Sequence, residues 1–328
     1  MRVLVTGASG RYGGAVAAAL AARGDEVVVL QRSAAGLGDG VEEVRGDITE
    51  PRVVARAMHD VDAVIHLAAR VSIVGDWPDF ERVNVDGTAI LLAAAQRAGV
   101  DRFVFVSSPS VAHQGEPLVG AGADPADPAR TRGHYARSKA TAERLAMEAD
   151  RGSNGDGPAV VAIRPHLVWG PGDTQLIGRI VERARTGRLA LVDDGAALID
   201  TTYLDNAVSA TLAALDRCRV VHGRAFVVSN GEPRTVREIL TRICDAAGAP
   251  RPTRRVPLGV ARAGGAVAER VWRVLGRDDD PPMTSFLAEQ LATAHWFDQR
   301  ATREALDWEP TVPLEEGFAR LAASFNGG

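Results

Sequence analysis

The sequence predicts an α/β fold, a doubly wound parallel sheet followed by a smaller C-terminal part. Two observations carry that prediction. Short apolar runs alternate with helical stretches through the first half, and the first run opens into a glycine-rich turn. Runs without polar alternation belong to strands buried on both faces, as parallel strands are when helices cover them. Right-handed crossovers then wind the chain to both sides of the sheet.

The elements follow in order. Val3-Leu4-Val5 is a core strand, and an Ala-rich helix runs from about Gly13 to Ala22. Val27-Val28-Val29-Leu30 is the second buried run, and Val61 to Leu67 the next. A helix around Ala89 to Arg97 precedes the strand Phe103-Val104-Phe105-Val106. Gln114 to Gly133, rich in Gly, Pro, Asp and Ala, reads as a mobile loop before a helix that carries Tyr135 and runs through Met147. A polar break at Arg151 to Pro158 leads to a strand at Val160-Val161-Ala162-Ile163. Trp169-Gly170-Pro171-Gly172 reads as a turn, after which helices mix with short strands.

Composition narrows the function classes. The 328 residues are 46% hydrophobic, enough for a proper core, with a net charge of −4 and no dense Lys/Arg run. That balance argues against nucleic-acid or membrane-surface binding driven by charge. Cys218 and Cys244 have neither metal-ligand spacing nor a disulfide framework, so they read as structural thiols of a cytoplasmic protein, with no metal expected. The first residues already look like a strand, so no secretory leader is expected, and no apolar run nears the roughly 20 residues of a membrane helix.

The turn Thr6-Gly7-Ala8-Ser9-Gly10-Arg11-Tyr12-Gly13 sits between the first strand and first helix. Glycines there let backbone approach a pyrophosphate, and the helix N-terminus offers it free N–H groups. Placement after the first strand of a βαβ series makes this a dinucleotide site. At the end of the second strand, where an acid would hold an NAD ribose, stand Gln31, Arg32 and Ser33. Arg32 suits a 2′-phosphate, so NADP(H) is expected over NAD(H). Asp47, beside Ile48, is positioned to accept a hydrogen bond from an adenine amino group.

Tyr135 and Lys139 lie four residues apart on one helix face. A phenol is a poor acid or base at neutral pH, but a nearby ammonium and an oxidised nicotinamide would lower its pKa. It can then exchange a proton with a substrate oxygen as hydride moves. Ser108, at the end of the Phe103–Val106 strand, can polarise that oxygen, with Ser107 the second choice.

These pieces, with His66-Leu67-Ala68-Ala69, Asn84-Val85-Asp86-Gly87-Thr88, Arg164-Pro165, Gly170-Pro171-Gly172 and Tyr203-Leu204-Asp205-Asn206-Ala207, resemble the extended short-chain dehydrogenase/reductase family, over nearly the whole chain. The resemblance implies a Rossmann fold over residues 1–168, with a returning segment near 198–230, and a substrate-binding part with a helical lid over 169–328. It places Gly7, Ser9, Gly10, Arg11, Tyr12, Gly13, Arg32, Asp47, Ile48, Leu67, Ala68, Ala69, Asn84, Tyr135, Lys139, Pro165, Leu167 and Val168 at the cofactor. Catalysis is expected from Ser108, Tyr135 and Lys139.

Within the family, Pro109-Ser110 stands where dehydratases carry an Asp-Glu pair. Ile199 and Tyr203 stand where nucleotide-sugar epimerases carry Arg and His. The chain thus resembles the 3β-hydroxysteroid dehydrogenase-like branch, and within it the bacterial reductases of 2-alkyl-3-oxoalkanoates in olefin biosynthesis. That implies an apolar 3-oxo or 3-hydroxy substrate, a β-keto acid or a steroid-like alcohol, and by analogy a homodimer. The alternatives are a nucleotide-sugar 4-epimerase with bound NAD and a non-catalytic dinucleotide sensor. A substrate carboxylate would look for a cation among His113, His134, Arg137 and His166. The lid would be the amphipathic stretch Val256 to Leu275 with the segment of Phe286, Leu287 and Leu291 beyond Asp278-Asp279-Asp280.

Overall fold

The computed structural model describes residues 1–34, 36–38, 40–72, 75–112, 115–151, 155, 157–275 and 281–326. The expectations for His113 and for the Asp278–Asp280 break lie outside them.

The central sheet is built from β1 (Arg2–Thr6), β2 (Glu26–Gln31), β3 (Val41–Arg45), β4 (Ala63–His66), β5 (Arg102–Val106), β6 (Ala159–Pro165) and a late strand, Arg224–Val228. Its order is late strand-β6-β5-β4-β1-β2-β3, and every pairing is parallel. The order reverses at β1, so a crevice opens there beyond the carboxyl ends of the strands. Helix α1 (Arg11–Ala22) joins β1 to β2, α2 (Pro51–Ala57) follows β3, α3 (Gly87–Ala98) precedes β5, and α4 (His134–Glu148) precedes β6. A fifth helix, α5 (Leu204–Val221), leads into the late strand.

Burial explains the apolar runs. Val3, Leu4 and Val5 are all fully buried, with alternate side chains entering two different cores. One core packs Val16 and Leu20 of α1 and Val208, Leu215 and Cys218 of α5 under the sheet. The other packs Val54 of α2, Leu91 and Leu92 of α3 and Ala142 and Ala146 of α4 on the opposite face. Both cysteines are buried thiols, and the Cys218 thiol donates to the Ala159 carbonyl at 3.1 Å.

The segment before α4 differs from a plain loop. Leu118–Ala121 is a strand pairing in parallel with His295–Phe297, inside a small sheet with Leu198–Ile199 and Arg234–Thr235. Gly120, at φ 61°, lets the Trp296 ring close onto its backbone; a Cβ there would lie 3.1 Å from the ring. The pairing comes from a partner far along the chain, so local composition conceals it. A third apolar cluster, including Trp169, Ile199, Tyr203, Ile239 and Phe318, organises the C-terminal part.

There, helix α6 (Leu258–Val274) packs on α7 (Ser285–Ala292). The close face of α6 is Ala261 and Gly265, and a Cβ on Gly265 would come within 2.5 Å of the Thr284 and Ser285 backbone. Among the described residues no helix is long and apolar enough to cross a membrane.

Candidate active site

The glycine turn is built for close approach. Gly7 has φ 77°, and a Cβ there would lie 2.8 Å from the Ala68 nitrogen, so the backbones of β1 and β4 nearly touch. On Gly13 a Cβ would sit 2.4 Å from the Gly7 carbonyl oxygen, so the first turn of α1 presses on the loop. Ser9 and Gly10 remain exposed at the N-terminus of α1. This cradle, which any side chain at Gly7 or Gly13 would fill, fits a dinucleotide pyrophosphate.

Two neighbours behave differently from each other. Arg11 is exposed and reaches the turn at Gly172, where a Cβ would meet its guanidinium at 2.7 Å. Tyr12 corrects the expectation for its side chain. It turns away from the loop, donating to the Ala207 carbonyl at 3.0 Å and sharing a 2.6 Å hydrogen bond with the Thr211 hydroxyl of α5. Burial pushes its phenol well above the usual range, so that side chain is a packing element and only its backbone N–H remains for a phosphate.

At the end of β2, Gln31 is 4% exposed and neither amide atom has a hydrogen-bond partner among the described residues. Arg32 beside it is exposed. Burial raises the Asp47 carboxyl, but the Thr49 hydrogen bonds and the charges of Arg32 and Arg82 outweigh it and hold it below the ordinary value. One Asp47 oxygen accepts from the Thr49 N–H at 3.0 Å. Ile48 is buried against Gly87, where a Cβ would come within 2.7 Å.

A buried hydrogen-bond chain runs from the glycine turn toward Tyr135. Parallel register sets Thr6 beside His66. The Thr6 hydroxyl meets His66 Nδ1 at 2.7 Å and also accepts from the Ala68 N–H at 3.1 Å. His66 Nε2 meets the Thr88 hydroxyl at 2.9 Å, and that hydroxyl donates to the Asn84 carbonyl at 2.6 Å. Asn84 lies in a π-helical turn, Glu81–Asp86, whose extra residue per turn re-aims side chains. Its amide donates to the Ser138 hydroxyl at 2.8 Å and clamps the Arg70 backbone, while Ser138 donates to the Tyr135 carbonyl at 2.8 Å. His66 is held neutral: burial, aided by the Lys139 charge, pushes it down to about 3. Leu67, Ala68 and Ala69 follow His66 as partly buried backbone along the crevice.

The catalytic candidates meet at the carboxyl ends of β5 and β6. Lys139 is 3% exposed; its ammonium donates to the Val106 carbonyl at 2.7 Å and lies 4.1 Å from the Phe105 ring centre. Burial pushes it down to about 7, with the Glu143 charge opposing. Ser108 lies near enough to the Tyr135 phenol to influence its ionisation, and its hydroxyl accepts from the Ser110 N–H and hydroxyl at 3.3 and 3.0 Å. Ser107 is buried, and its hydroxyl has no hydrogen-bond partner among the described residues.

Burial raises the Tyr135 phenol to about 12, and Ser108 draws it partly back.

Pro165 ends β6, and Leu167 follows in the left-handed region at φ 45°, 39% exposed. Val168 then pairs with Thr202, and the Thr202 hydroxyl donates to the His166 carbonyl at 2.8 Å. Of the cations considered for a carboxylate, Arg137 stacks on Trp77 at 4.3 Å and His134 contacts Trp77 and Phe80, so both are engaged with aromatic rings. His166 is buried edge-on against His295 and Phe297.

Thr6, His66, Thr88 and Arg164 stand in the sequence motifs without an assigned role, and Ser138 and Glu143 stand outside them, yet these six hold the site residues in place. Arg164 and Glu143 are 1% and 2% exposed and meet at 3.0 and 2.5 Å through two hydrogen bonds, anchoring α4 to β6. A buried Arg one strand away from a helical Glu was the available signal, since neither charge is buried without a partner.

Comparison with known proteins agrees with this geometry. The chain is 40% identical to a 2-alkyl-3-oxoalkanoate reductase of Stenotrophomonas maltophilia (strain K279a), covering 99% of each chain. It is 38% identical to a protein of the same name from Shewanella oneidensis, over 98% of this chain and 85% of that one. Its fold matches that of MoeE5 in complex with UDP-glucose and NAD, at a TM-score of 0.77 and 24% identity, over 100% of this chain and 99% of the other. Residues 3–229 match the NAD dependent epimerase/dehydratase family, and the chain belongs to it.

Proposed function

We propose that this protein is an NAD(P)-dependent reductase of an apolar 3-oxo compound, with a 2-alkyl-3-oxoalkanoate as the substrate class. The observation that carries the reading is the convergence of three groups at the end of β5: Ser108 beside the Tyr135 phenol, and the Lys139 ammonium held on the Val106 carbonyl at 2.7 Å. When bound, the dinucleotide supplies the hydride. Gly7, Ser9, Gly10 and Gly13 would hold its phosphates, Asn84 and Lys139 would order the floor beneath the nicotinamide, and Pro165, Leu167 and Val168 would border it. Ser108 orients the substrate oxygen and Tyr135 gives it a proton. A protonated phenol is the form that reduction needs, and burial, which raises the Tyr135 phenol, works toward that form.

The substrate class is supported by two substitutions and by the relatives. Ile199 and Tyr203 are 7% and 2% exposed and packed with Trp169 in the C-terminal core, so neither offers a cation to a sugar-nucleotide phosphate. The two bacterial relatives are named for 2-alkyl-3-oxoalkanoate reduction. For the cofactor, an uncharged Gln31 with exposed Arg32 beside it favours a 2′-phosphate, hence NADPH. Helices α6 and α7 would cover the apolar part of the substrate, since Glu289 of α7 pairs with Arg132, just ahead of Tyr135, at 2.7 Å.

The test is a series of 2-alkyl-3-oxoalkanoates of rising chain length, followed at the nicotinamide absorbance with NADPH and with NADH. Expected are turnover that rises with chain length, a preference for NADPH, and loss of about 10²–10⁴ in kcat in Tyr135→Phe with cofactor affinity kept. Full activity of Tyr135→Phe refutes the proton-transfer role. No oxo-acid turnover, with tightly held NAD and interconversion of UDP-sugars, replaces the reading with an epimerase.

A further inference from the structure

Whole-chain charge argues against a membrane surface, but one helix departs from the average. On α6, Val260, Val267, Val271 and Val274 are 61, 64, 42 and 78% exposed, and Leu275 just beyond is 63% exposed. Their spacings of seven, four and three residues place the valines within an arc of about 60°. Scattered exposed apolar residues need no explanation, but a continuous stripe does. Valine is also a weaker helix former than Ala, Lys or Glu, so a solvent-facing valine row works against the helix that carries it. Packing against α7 does not explain it, because that contact uses Ala261 and Gly265 on another side.

Among the described residues, the charges exposed along α6 beside the stripe are of one sign. Arg255, Arg270 and Arg273 are exposed and pair with no carboxylate among the described residues. Glu269, the acidic residue of α6, is spent inward, accepting from the Ser285 N–H at 2.7 Å, and Arg262 pairs with Glu289 at 3.1 Å. A second copy of this helix laid on the first would bring the arginines together with no outward acid of α6 itself to meet them. An anionic lipid surface meets both features at once, the valines entering between headgroups and the arginines on the phosphates. Seventeen residues of helix span roughly 26 Å, and with arginines along it the helix lies in the interface rather than across it.

We propose that α6 docks this protein on an anionic membrane interface through the Val260–Val267–Val271–Val274 stripe and Arg270 and Arg273. The same helix is tied through Arg262, Glu289 and Arg132 to the segment ahead of Tyr135, so docking would set the active-site side of the molecule close to the lipid. The inference is independent of the substrate reading, because docking is measured with no substrate present.

The experiment is flotation of the full chain with vesicles of phosphatidylcholine alone and of phosphatidylcholine mixed with phosphatidylglycerol. Expected is binding to the mixed vesicles only, weakened about tenfold or more by Val267→Asp with Val271→Asp, and by Arg270→Glu with Arg273→Glu. NADPH affinity, read by fluorescence titration, should stay at the parent value in both variants and so report an intact fold. No binding to anionic vesicles overturns the proposal, as does binding that neither double variant reduces. A dimer in sedimentation velocity that the valine variant dissociates would overturn it in favour of a self-interface.

Discussion

Removing Glu143 separates two things that the active-site helix depends on. Arg164 is 1% exposed and directs two hydrogen bonds to Glu143, at 3.0 and 2.5 Å, and one to the Asp124 carbonyl at 2.7 Å. Glu143→Ala leaves that guanidinium buried with a neutral partner only. Breaking a buried pair in this way costs about 3–5 kcal/mol. Glu143→Leu with Arg164→Met removes both charges at similar volume and should recover most of that stability, less about 1 kcal/mol for the donor lost to Asp124.

The second consequence is electrostatic. Glu143 lies one helical turn beyond Lys139 and holds its pKa up against burial. Across roughly 6 Å at an effective dielectric of about 20, that charge is worth at most ~3 kcal/mol, or about two pKa units. Lys139, already lowered to about 7, falls further in either variant, so its ammonium is confined to lower pH. The alkaline limb of kcat/KM set by Lys139 should therefore move down by about one to two units, in the stable double variant as well as in Glu143→Ala. Urea unfolding and a pH–rate profile read the two effects separately. If Glu143→Ala unfolds at the parent urea concentration, the anchoring argument is wrong; if the double variant keeps the parent limb, the electrostatic one is.

Three further outcomes follow from the geometry. Gly13→Ala puts a Cβ 2.4 Å from the Gly7 carbonyl oxygen, so it should weaken dinucleotide binding by at least about tenfold in a fluorescence titration; parent affinity would mean the loop can open freely. Burial and the Lys139 charge hold His66 near 3 against an ordinary 6.5, so below pH 6.5 the unfolded chain takes up a proton that the folded chain refuses. Stability from this group is thus complete above pH 6.5 and is lost as pH falls toward about 3, by up to ~5 kcal/mol. His66→Gln should flatten that window in urea titrations; an unchanged acid slope counts against a buried neutral imidazole. Leu167→Gly relieves a side chain held at φ 45° and should stabilise by about 1 kcal/mol while lowering kcat/KM for long-chain substrates. A lower melting temperature would show that Leu167 is not strained.

What is legible in the sequence, and what is not, depends on how far apart the interacting residues lie. The central strands are readable because each is an unbroken apolar run buried on both faces, and the glycine turn because Gly7 and Gly13 meet each other within one turn of chain. Tyr135 and Lys139 are readable because one helical turn separates them. The contacts among Thr6, His66 and Thr88 are invisible locally: 60 residues separate the first pair and 22 the second, the register of β1 and β4 joining the first and the packing of the first turn of α3 the second. Leu118–Ala121 hides for the same reason, since its strand partner begins at His295. Tyr12 misleads in the other direction, because a residue inside a phosphate-binding motif carries a side chain that α5 recruits.

The division has a chemical meaning. The reaction type can be read along the chain because Tyr135 and Lys139 share one turn of α4, although the Val106 carbonyl that Lys139 holds lies 33 residues upstream. Selectivity rests on what surrounds them. Ile199 and Tyr203 matter because they are sunk into a core with Trp169, and Leu167 because β-pairing at Val168 holds its backbone in a strained region. In the proposed function an apolar substrate is favoured less by a pocket that attracts it than by Ile199 and Tyr203, which offer a sugar nucleotide no cation of their own. Supplying one, as Ile199→Arg, would bury a guanidinium in a site 7% exposed and packed among apolar side chains. The expected result is a loss of several kcal/mol of stability with no gain of UDP-sugar binding. A stable Ile199→Arg protein that binds UDP-glucose by calorimetry would show that a single side chain, and not the packing around it, separates the two substrate classes.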